Sequence, residues 1–310
     1  MRVLITGGAG FIGSHLADRL LNEGNEVLVI DNYNTGRRDN LSPQDRLEIV
    51  EGTIADEKLV SGLFDRFKPD VVVHAAAAYK DPADWEEDAR TNVTGTINCV
   101  RAAEATNVSR FIYFQTALCY GLKPLEQPIT LNHPIRPEGS SYAYSKTAGE
   151  QYIAMSDLDW ISFRLANAYG PRNVSGPLPT FFHRLGQSKG CFVTNTRRDF
   201  IYVQDLVDIV MKAIDGRGRK GPYHISSGSD YPIAELFAAT VKAMGLPEDT
   251  PVDHRERGVD DVETILIDPT ETNKDFDWET TTPLIDGVDK AIAYYEKFGL
   301  EETYTHLKID

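Results

Sequence analysis

Short runs of aliphatic and β-branched residues recur through the first half of the chain: Val3–Thr6, Val27–Asp31, Leu47–Val50, Val71–Ala75, Phe111–Gln115 and Ile161–Leu165. Most are continuously apolar instead of alternating with polar residues, the pattern of strands buried on both faces. Between them, Ser14–Asn22, Glu57–Phe67, Asp88–Thr106 and Ser145–Met155 carry apolar positions at helical spacing. Six such units predict an α/β fold built on one doubly wound parallel sheet.

The texture changes after Asn167. Residues 168–200 carry Gly170-Pro171, Gly176-Pro177 and Pro179 and read as loop plus one short helix. Ile201–Ile214 reads as a strand running into a helix, Pro222–Ser226 as a late strand, and 228–310 as short helices and turns. The expected division is a sheet domain over 1–167, to which 201–227 returns, and a smaller mixed α/β lobe over 168–310. That lobe would close over the carboxyl edge of the sheet and bind substrate.

Composition narrows the class. Of 310 residues, 41% are apolar and 25% charged, as in an ordinary globular chain. The formal net charge of −15 argues against nucleic acid and anionic membrane surfaces as partners. No apolar run reaches the ~18–20 residues that span a bilayer, and Met1-Arg2 leads straight into a strand, which suggests a cytoplasmic protein. Cys99, Cys119 and Cys191 are odd in number and widely spaced, which fits a reducing compartment and neither a disulfide framework nor a metal site. Any anionic ligand must therefore be held by local groups acting against the overall field.

One such group is legible. Thr6-Gly7-Gly8-Ala9-Gly10-Phe11-Ile12-Gly13 follows a strand and opens a helix, with Gly7, Gly10 and Gly13 three apart. The first glycine permits the turn, the second lets the backbone approach a pyrophosphate, and the third lets helix pack on strand. Free N–H groups and the positive end of the helix dipole would then face the phosphates. A plain turn would use the same glycines, but Asp31 closes the next strand 18 residues after Gly13. That is near the ~20 expected for a carboxylate bonding the adenosine ribose. Its charge would repel a 2′-phosphate, so NAD is expected over NADP, although Arg37 and Arg38 lie close. The sheet is thus read as a Rossmann domain.

Candidate chemistry lies further along. Tyr142 and Lys146 stand four apart, on one face of a helix if the helix has begun there. A phenol titrates near ~10, too high for a base at neutral pH. A neighbouring ammonium and a positively charged nicotinamide ring would favour the phenolate. A packed surface pair has the same spacing. Thr116 ends a predicted strand, where side chains of a parallel sheet face the ligand crevice; it could equally be a strand-end cap.

Taken together, these motifs resemble the extended short-chain dehydrogenase/reductases, specifically the nucleotide-sugar epimerases and dehydratases. The likeness covers nearly the whole chain. It rests on Thr6–Gly13, Asp31-Asn32, His74-Ala75-Ala76, Asn92–Thr96, Thr116 with Tyr120-Gly121, Tyr142 with Lys146, Arg164 to Asn167, Tyr169–Arg172 and Arg198–Val203 with Asp205. It implies Tyr142 as base and acid, Lys146 on the nicotinamide ribose, and Thr116 as the hydroxyl of the triad. It implies NAD contacts from Gly7, Gly10, Phe11, Ile12, Gly13, Asp31, Asn32, Asn34, Thr35, Gly36, Thr53, Ile54, Ala75, Ala76, Ala77 and Tyr79, with Asn92 in the helix behind the cofactor. Asn167 and Arg198 would hold the nucleotide diphosphate and Phe192 its base. Arg257 would be a second phosphate partner, with Arg255 equally available and a salt bridge to a nearby acid as its alternative. Family members pair through two helices, here Asp88–Thr106 and Ser145–Met155. The implied homodimer would use Val93, Ile97, Val100, Tyr152, Ile153 and Met155.

Departures from the family pattern select a reaction. Dehydratases carry an Asp-Glu pair where this chain has Ala117 and Leu118, and decarboxylases often carry Glu at the second of these. Apolar residues cannot supply the acid and base of an elimination. Cys119 is one residue off the cysteine of the GDP-fucose synthases. The expectation is an NAD-dependent UDP-sugar 4-epimerase acting through a 4-keto intermediate on UDP-glucose, UDP-glucuronate or an N-acetyl analogue. The alternatives are a nucleotide-sugar reductase or dehydrogenase, a UDP-glucuronate decarboxylase, and a non-enzymatic NAD sensor. Lys80 or Arg172 could meet a C6 carboxylate, or be solvated surface residues. Thr53 stands where relatives often have an adenine-binding Asp.

Overall fold

The structure is a computed structural model describing residues 1–258 and 261–304. Strands β1 (Arg2–Thr6), β2 (Glu26–Asp31), β3 (Leu47–Glu51), β4 (Val71–His74), β5 (Arg110–Thr116) and β6 (Trp160–Leu165) join Gly221–Ile225 in one seven-stranded sheet. Its order is β3-β2-β1-β4-β5-β6 and then Gly221–Ile225, with every neighbour parallel. This is the doubly wound arrangement expected from the continuous apolar runs. Alternate residues of each strand face opposite layers. Val3, Ile5, Val27 and Val29 belong to one buried cluster, and Leu4, Leu28, Val72 and Phe111 to the other.

The order reverses between β1 and β4, and there the carboxyl ends diverge into a crevice. Thr6, His74 and Thr116 are the last residues of β1, β4 and β5; Thr116 reaches the crevice, whereas Thr6 and His74 are buried beneath it.

Two helices begin earlier than their apolar periodicity indicates. The first spans Phe11–Asn22 and starts directly on the glycine turn. Another spans Ser141–Ala154, and its Ser140 cap accepts a hydrogen bond from the Ala143 amide (3.3 Å). Tyr142 therefore lies in the first helical turn. The stretch expected as one helix over Asp88–Thr106 is a short helix Trp85–Asp88, a wide π-type turn Ala89–Gly95 and a helix Thr96–Ala105. A Cβ on Gly95 would stand 2.5 Å from Ile54 Cγ1, so the wide turn is pressed against the neighbouring loop. Val100 and Ile153 face the chain's own core, whereas Tyr144, Tyr152 and Met155 are exposed.

The stretch 168–200 contains more than a loop and a helix. After the helix Pro177–Gly186, Cys191–Thr194 pairs with Val252–Arg255, and Arg197–Tyr202 forms the centre of a second, four-stranded sheet. Its partners are Asn167–Tyr169, Asp230–Pro232 and Thr264–Ile265. These strands are two to six residues long, and several carry charged residues, so their apolar pattern is too short to register. Among the described residues no helix is long and apolar enough to cross a membrane.

Candidate active site

A cleft of about 1110 Å³ runs along the carboxyl edge of the large sheet and beneath the smaller sheets. At one end the glycine turn is shaped by close approach. Gly7 has φ +67°, and a Cβ there would lie 2.7 Å from the Ala76 backbone. A Cβ on Gly13 would lie 2.3 Å from the Gly7 carbonyl oxygen, closer than any side chain tolerates. The bare backbone thus leaves room for a ligand against the first turn of Phe11–Asn22, which carries no acidic side chain to repel an anion.

Asp31 anchors this turn. One carboxylate oxygen accepts from the Ala9 amide (2.8 Å) and the other from the Tyr33 amide (2.8 Å). Burial holds its carboxyl above the ordinary range, and those backbone donors oppose the shift. Asn32, Asn34, Thr35, Thr53, Ile54, Ala75, Ala76, Ala77 and Tyr79 line the same end. Thr53 Oγ accepts from the Ala55 amide (3.2 Å). Gly36 packs on Asp31, with its Cβ position 2.8 Å from Oδ1. Asn92 is buried behind the cleft: its Oδ1 accepts from the Ala78 amide (2.8 Å), and its Nδ2 donates to the Ala78 carbonyl and to Ser145 Oγ (3.0 Å each). One side chain thereby ties the Ala75–Tyr79 loop to the helix bearing Tyr142. The bare glycine turn, the aimed helix start and the anchored carboxylate fit a dinucleotide.

Tyr142, Lys146 and Thr116 all line the middle of the cleft. Lys146 is buried, with its ammonium 4.0 Å from the Tyr113 ring centre. Burial pushes its pKa down to about 7, and Glu150 one turn later opposes that. The Lys146 carbonyl accepts from Tyr113 Oη (2.9 Å) and Gln115 Nε2 (3.1 Å), which fixes the helix against β5. Burial raises the Tyr142 phenol above its usual value, and the acidic groups Tyr79 and Asp88 add to the rise. This is opposite in direction to the activation expected from the sequence. Burial and these neighbours disfavour the phenolate in the absence of a ligand. Thr116 Oγ accepts from the Leu118 amide (3.2 Å), which caps a short turn, and its proton remains available to the cleft.

At the far end, Asn167, Phe192 and Arg198 line the cleft. Arg198 donates to the Val262 carbonyl (2.8 Å) and pairs with Asp261 (2.5 Å). Burial lowers its pKa and Asp261 counters this. Phe192 is covered by the Arg255 guanidinium at 4.2 Å. Asn167 Nδ2 donates to the Asp199 carbonyl (3.2 Å). Asp261 also lines the cleft, a residue for which the sequence carried no local signal.

Other candidates lie elsewhere. Arg257 is not among the lining residues; it donates to the Asp261 carbonyl (2.7 Å). Arg172 pairs with Asp18 (2.7 Å) and is not among the residues lining the main cleft. Cys119 is buried and its thiol is pushed up to about 12 by burial. Lys80 does line the cleft.

Residues 3–226 match the model of the NAD dependent epimerase/dehydratase family. The chain is 33% identical to a UDP-glucose 4-epimerase of Mycolicibacterium smegmatis, over 95% of this chain and 98% of that one. The crystal structure of the Bordetella bronchiseptica enzyme WbmH in complex with NAD+ is 53% identical, covers 96% of this chain and 99% of its own, and superposes with a TM-score of 0.94. That of WbmG from the same organism, in complex with NAD and UDP, is 43% identical over 99% of this chain and 97% of its own, with a TM-score of 0.90.

Proposed function

Because the chain belongs to the NAD-dependent epimerase/dehydratase family, we propose that this NAD-dependent nucleotide-sugar epimerase inverts C4 of a UDP-linked sugar. The carrying observation is that Tyr142, Lys146 and Thr116 share one cleft with the glycine turn and with Arg198, while the residues after Thr116 are the apolar Ala117 and Leu118. An elimination or a decarboxylation aided by a carboxyl group lacks its acid and base at that position.

In this reading the dinucleotide lies on the Gly7–Gly13 turn with its adenosine ribose at Asp31. NAD, when bound, supplies a reversible hydride acceptor, so oxidation and re-reduction of C4 leave no net redox change. Tyr142 takes the proton of the 4-hydroxyl at its phenolic oxygen and returns it to the inverted alkoxide. Lys146 stands one helical turn away; when protonated it would join the positive ring of bound NAD in supplying the charge that favours the phenolate. Thr116 donates to the sugar 4-oxygen and fixes its position. Arg198 and Asn167 hold the diphosphate, the guanidinium fork bonding phosphate oxygens in two directions, and Phe192 packs on the base. Residues 1–167 with 201–227 would form the cofactor domain, and the smaller sheets of 168–310 the sugar-nucleotide lobe. Two copies would pair through the helices Thr96–Ala105 and Ser141–Ala154, a reading supported by the exposed Tyr144, Tyr152 and Met155.

The test is incubation with UDP-glucose, UDP-glucuronate and their N-acetyl analogues without added NAD, followed by proton NMR. Inversion at C4 is expected with one of them. Loss of water or carbon dioxide, or a stoichiometric demand for NAD(P)H, refutes the reading.

A further inference from the structure

Four cations line the cleft among the described residues: Lys80, Lys146, Arg184 and Arg198. Three are committed elsewhere. Arg198 is paired with Asp261, Arg184 Nε donates to the Gly190 carbonyl (2.7 Å), and Lys146 is buried against Tyr113 with its charge disfavoured. Lys80 is exposed, and its ammonium lies 3.5 Å from the Asn34 carbonyl oxygen. Asn34 follows Asp31 by three residues, on the loop whose Gly36 packs against the Asp31 carboxylate. Lys80 therefore stands at the Asp31 corner of the cleft.

A distant part of the chain holds it there. The ammonium sits 4.7 Å from the ring centre of Tyr304. The Tyr304 backbone is pinned on both sides: its amide donates to the Val174 carbonyl (2.9 Å), and its carbonyl accepts from the Gly176 amide (2.9 Å). Upstream, the Leu300 carbonyl meets His183 Nδ1 at 3.1 Å. The segment from Leu300 to Tyr304 thus runs from the helix Pro177–Gly186 to the cleft, where Tyr304 meets a lysine from the loop after β4.

We propose that Tyr304 is a cofactor latch: its ring holds the Lys80 ammonium at the Asp31 corner of the cleft, where that charge attracts the anionic dinucleotide, so the cofactor stays bound between turnovers. This rests on the NAD reading above. A pyrophosphate brings two negative charges into a chain of net charge −15. The helix start offers N–H groups and only ~0.5 of a positive charge. A lysine is a compact point charge that suits a phosphate oxygen, and an aromatic face attracts the same ammonium without neutralising it. Tyr304 is a positioning residue that acts through Lys80.

The test uses the full chain purified with its cofactor, as wild type, Y304A, Y304F, K80A and K80R. Bound NAD is measured after gel filtration at low and moderate salt, with the rate of NAD release and the thermal midpoint of the stripped protein. Loss of one charge-assisted contact predicts release about ten- to a hundredfold faster in Y304A and K80A. Y304F, which keeps the ring, and K80R, which keeps the charge, should stay near wild type. The wild-type advantage should shrink as salt rises. The stripped proteins should melt alike, which a merely structural Tyr304 would not allow. Wild-type retention in Y304A overturns the latch, as does fast release in Y304A with normal release in K80A. So does a K80A variant that retains NAD and is impaired only on UDP-glucuronate, since Lys80 would then serve the sugar. A wild-type chain that never holds NAD overturns the cofactor reading itself and the latch with it.

Discussion

Acid should loosen this protein through one buried histidine in particular. His74, at the end of β4, is fully buried. Its Nε2 lies 2.9 Å from Thr96 Oγ, whose single proton is already donated to the Asn92 carbonyl (2.7 Å). Thr96 must therefore accept, so Nε2 carries the ring proton. Nδ1 is left to accept from Thr6 Oγ at 2.6 Å, and that hydroxyl in turn accepts from the Ala76 amide (3.2 Å). A second ring proton would meet an oxygen already committed. Burial lowers the His74 pKa from 6.5 to about 3, with Lys146 adding to the shift. The unfolded chain takes up this proton near pH 6.5 and the folded chain does not. The contribution is complete above pH 6.5 and is lost progressively down to about pH 3. At pH 5 the loss is ~2 kcal/mol, 2.303RT for each unit below 6.5. His224, also fully buried with its pKa lowered to about 4 by burial, adds a similar loss. Urea unfolding at pH 7.5 and pH 5.0 measures it. His74→Gln should shrink the difference between the two pH values by ~2 kcal/mol, whatever its own stability. Equal pH losses in both proteins refute the reasoning, as does a native His74 ring titrating near 6.5 by NMR.

Other substitutions probe the site directly. Gly13→Ala forces a Cβ to 2.3 Å from the Gly7 carbonyl, so backbone must shift; a loss of about 1–3 kcal/mol and of NAD retention is expected by thermal melting and cofactor assay. Tyr142→Phe should keep NAD but lower turnover by about 10²–10⁴, and near-normal activity removes Tyr142 from its role. Glu150 and Arg164 form a buried pair at 2.6 Å behind Lys146, so Glu150→Ala alone should cost about 3–5 kcal/mol in urea unfolding. A double variant with matched apolar residues should recover most of that loss.

The large sheet was readable because its first six strands each carry a local run rich in aliphatic and β-branched residues, and the helices between them their own period. The cofactor end was readable for a related reason, since the turn glycines and Asp31 are fixed by local backbone geometry at short spacing. The smaller sheets were not. Thr264–Ile265 has two residues, and its register is set by Arg197 and Arg198, more than sixty positions away. Asp261 escaped notice on the same ground: its partner Arg198 is 63 residues distant, and no periodicity links them. The wide turn at Ala89–Gly95 likewise depends on tertiary partners, Ile54 against Gly95 and Ala78 with Ser145 around Asn92. What the sequence carried for Tyr142 was its spacing from Lys146. The direction of its pKa depended on burial and on Asp88, which only the folded chain brings near.

The net charge of −15 gains a more specific meaning from the cleft. A strongly acidic chain can bind anions by concentrating cations at a site or by presenting neutral donors there. At the end proposed for the sugar nucleotide, the half-buried Arg198 is paired with Asp261, so that pair brings no net charge and acts through directed N–H groups. At the cofactor end the glycine turn offers backbone N–H groups, and Lys80, by Asn34 at the Asp31 corner, is a charge that no carboxylate within salt-bridge range offsets among the described residues. Salt screens charge far more than it weakens directed hydrogen bonds. If Lys80 latches the dinucleotide as proposed, its retention should respond to ionic strength, while a sugar nucleotide bound, as proposed, at the paired Arg198 and at neutral groups should respond much less. The two anionic ligands are then distinguished by how each is neutralised, which lets one stay while the other exchanges.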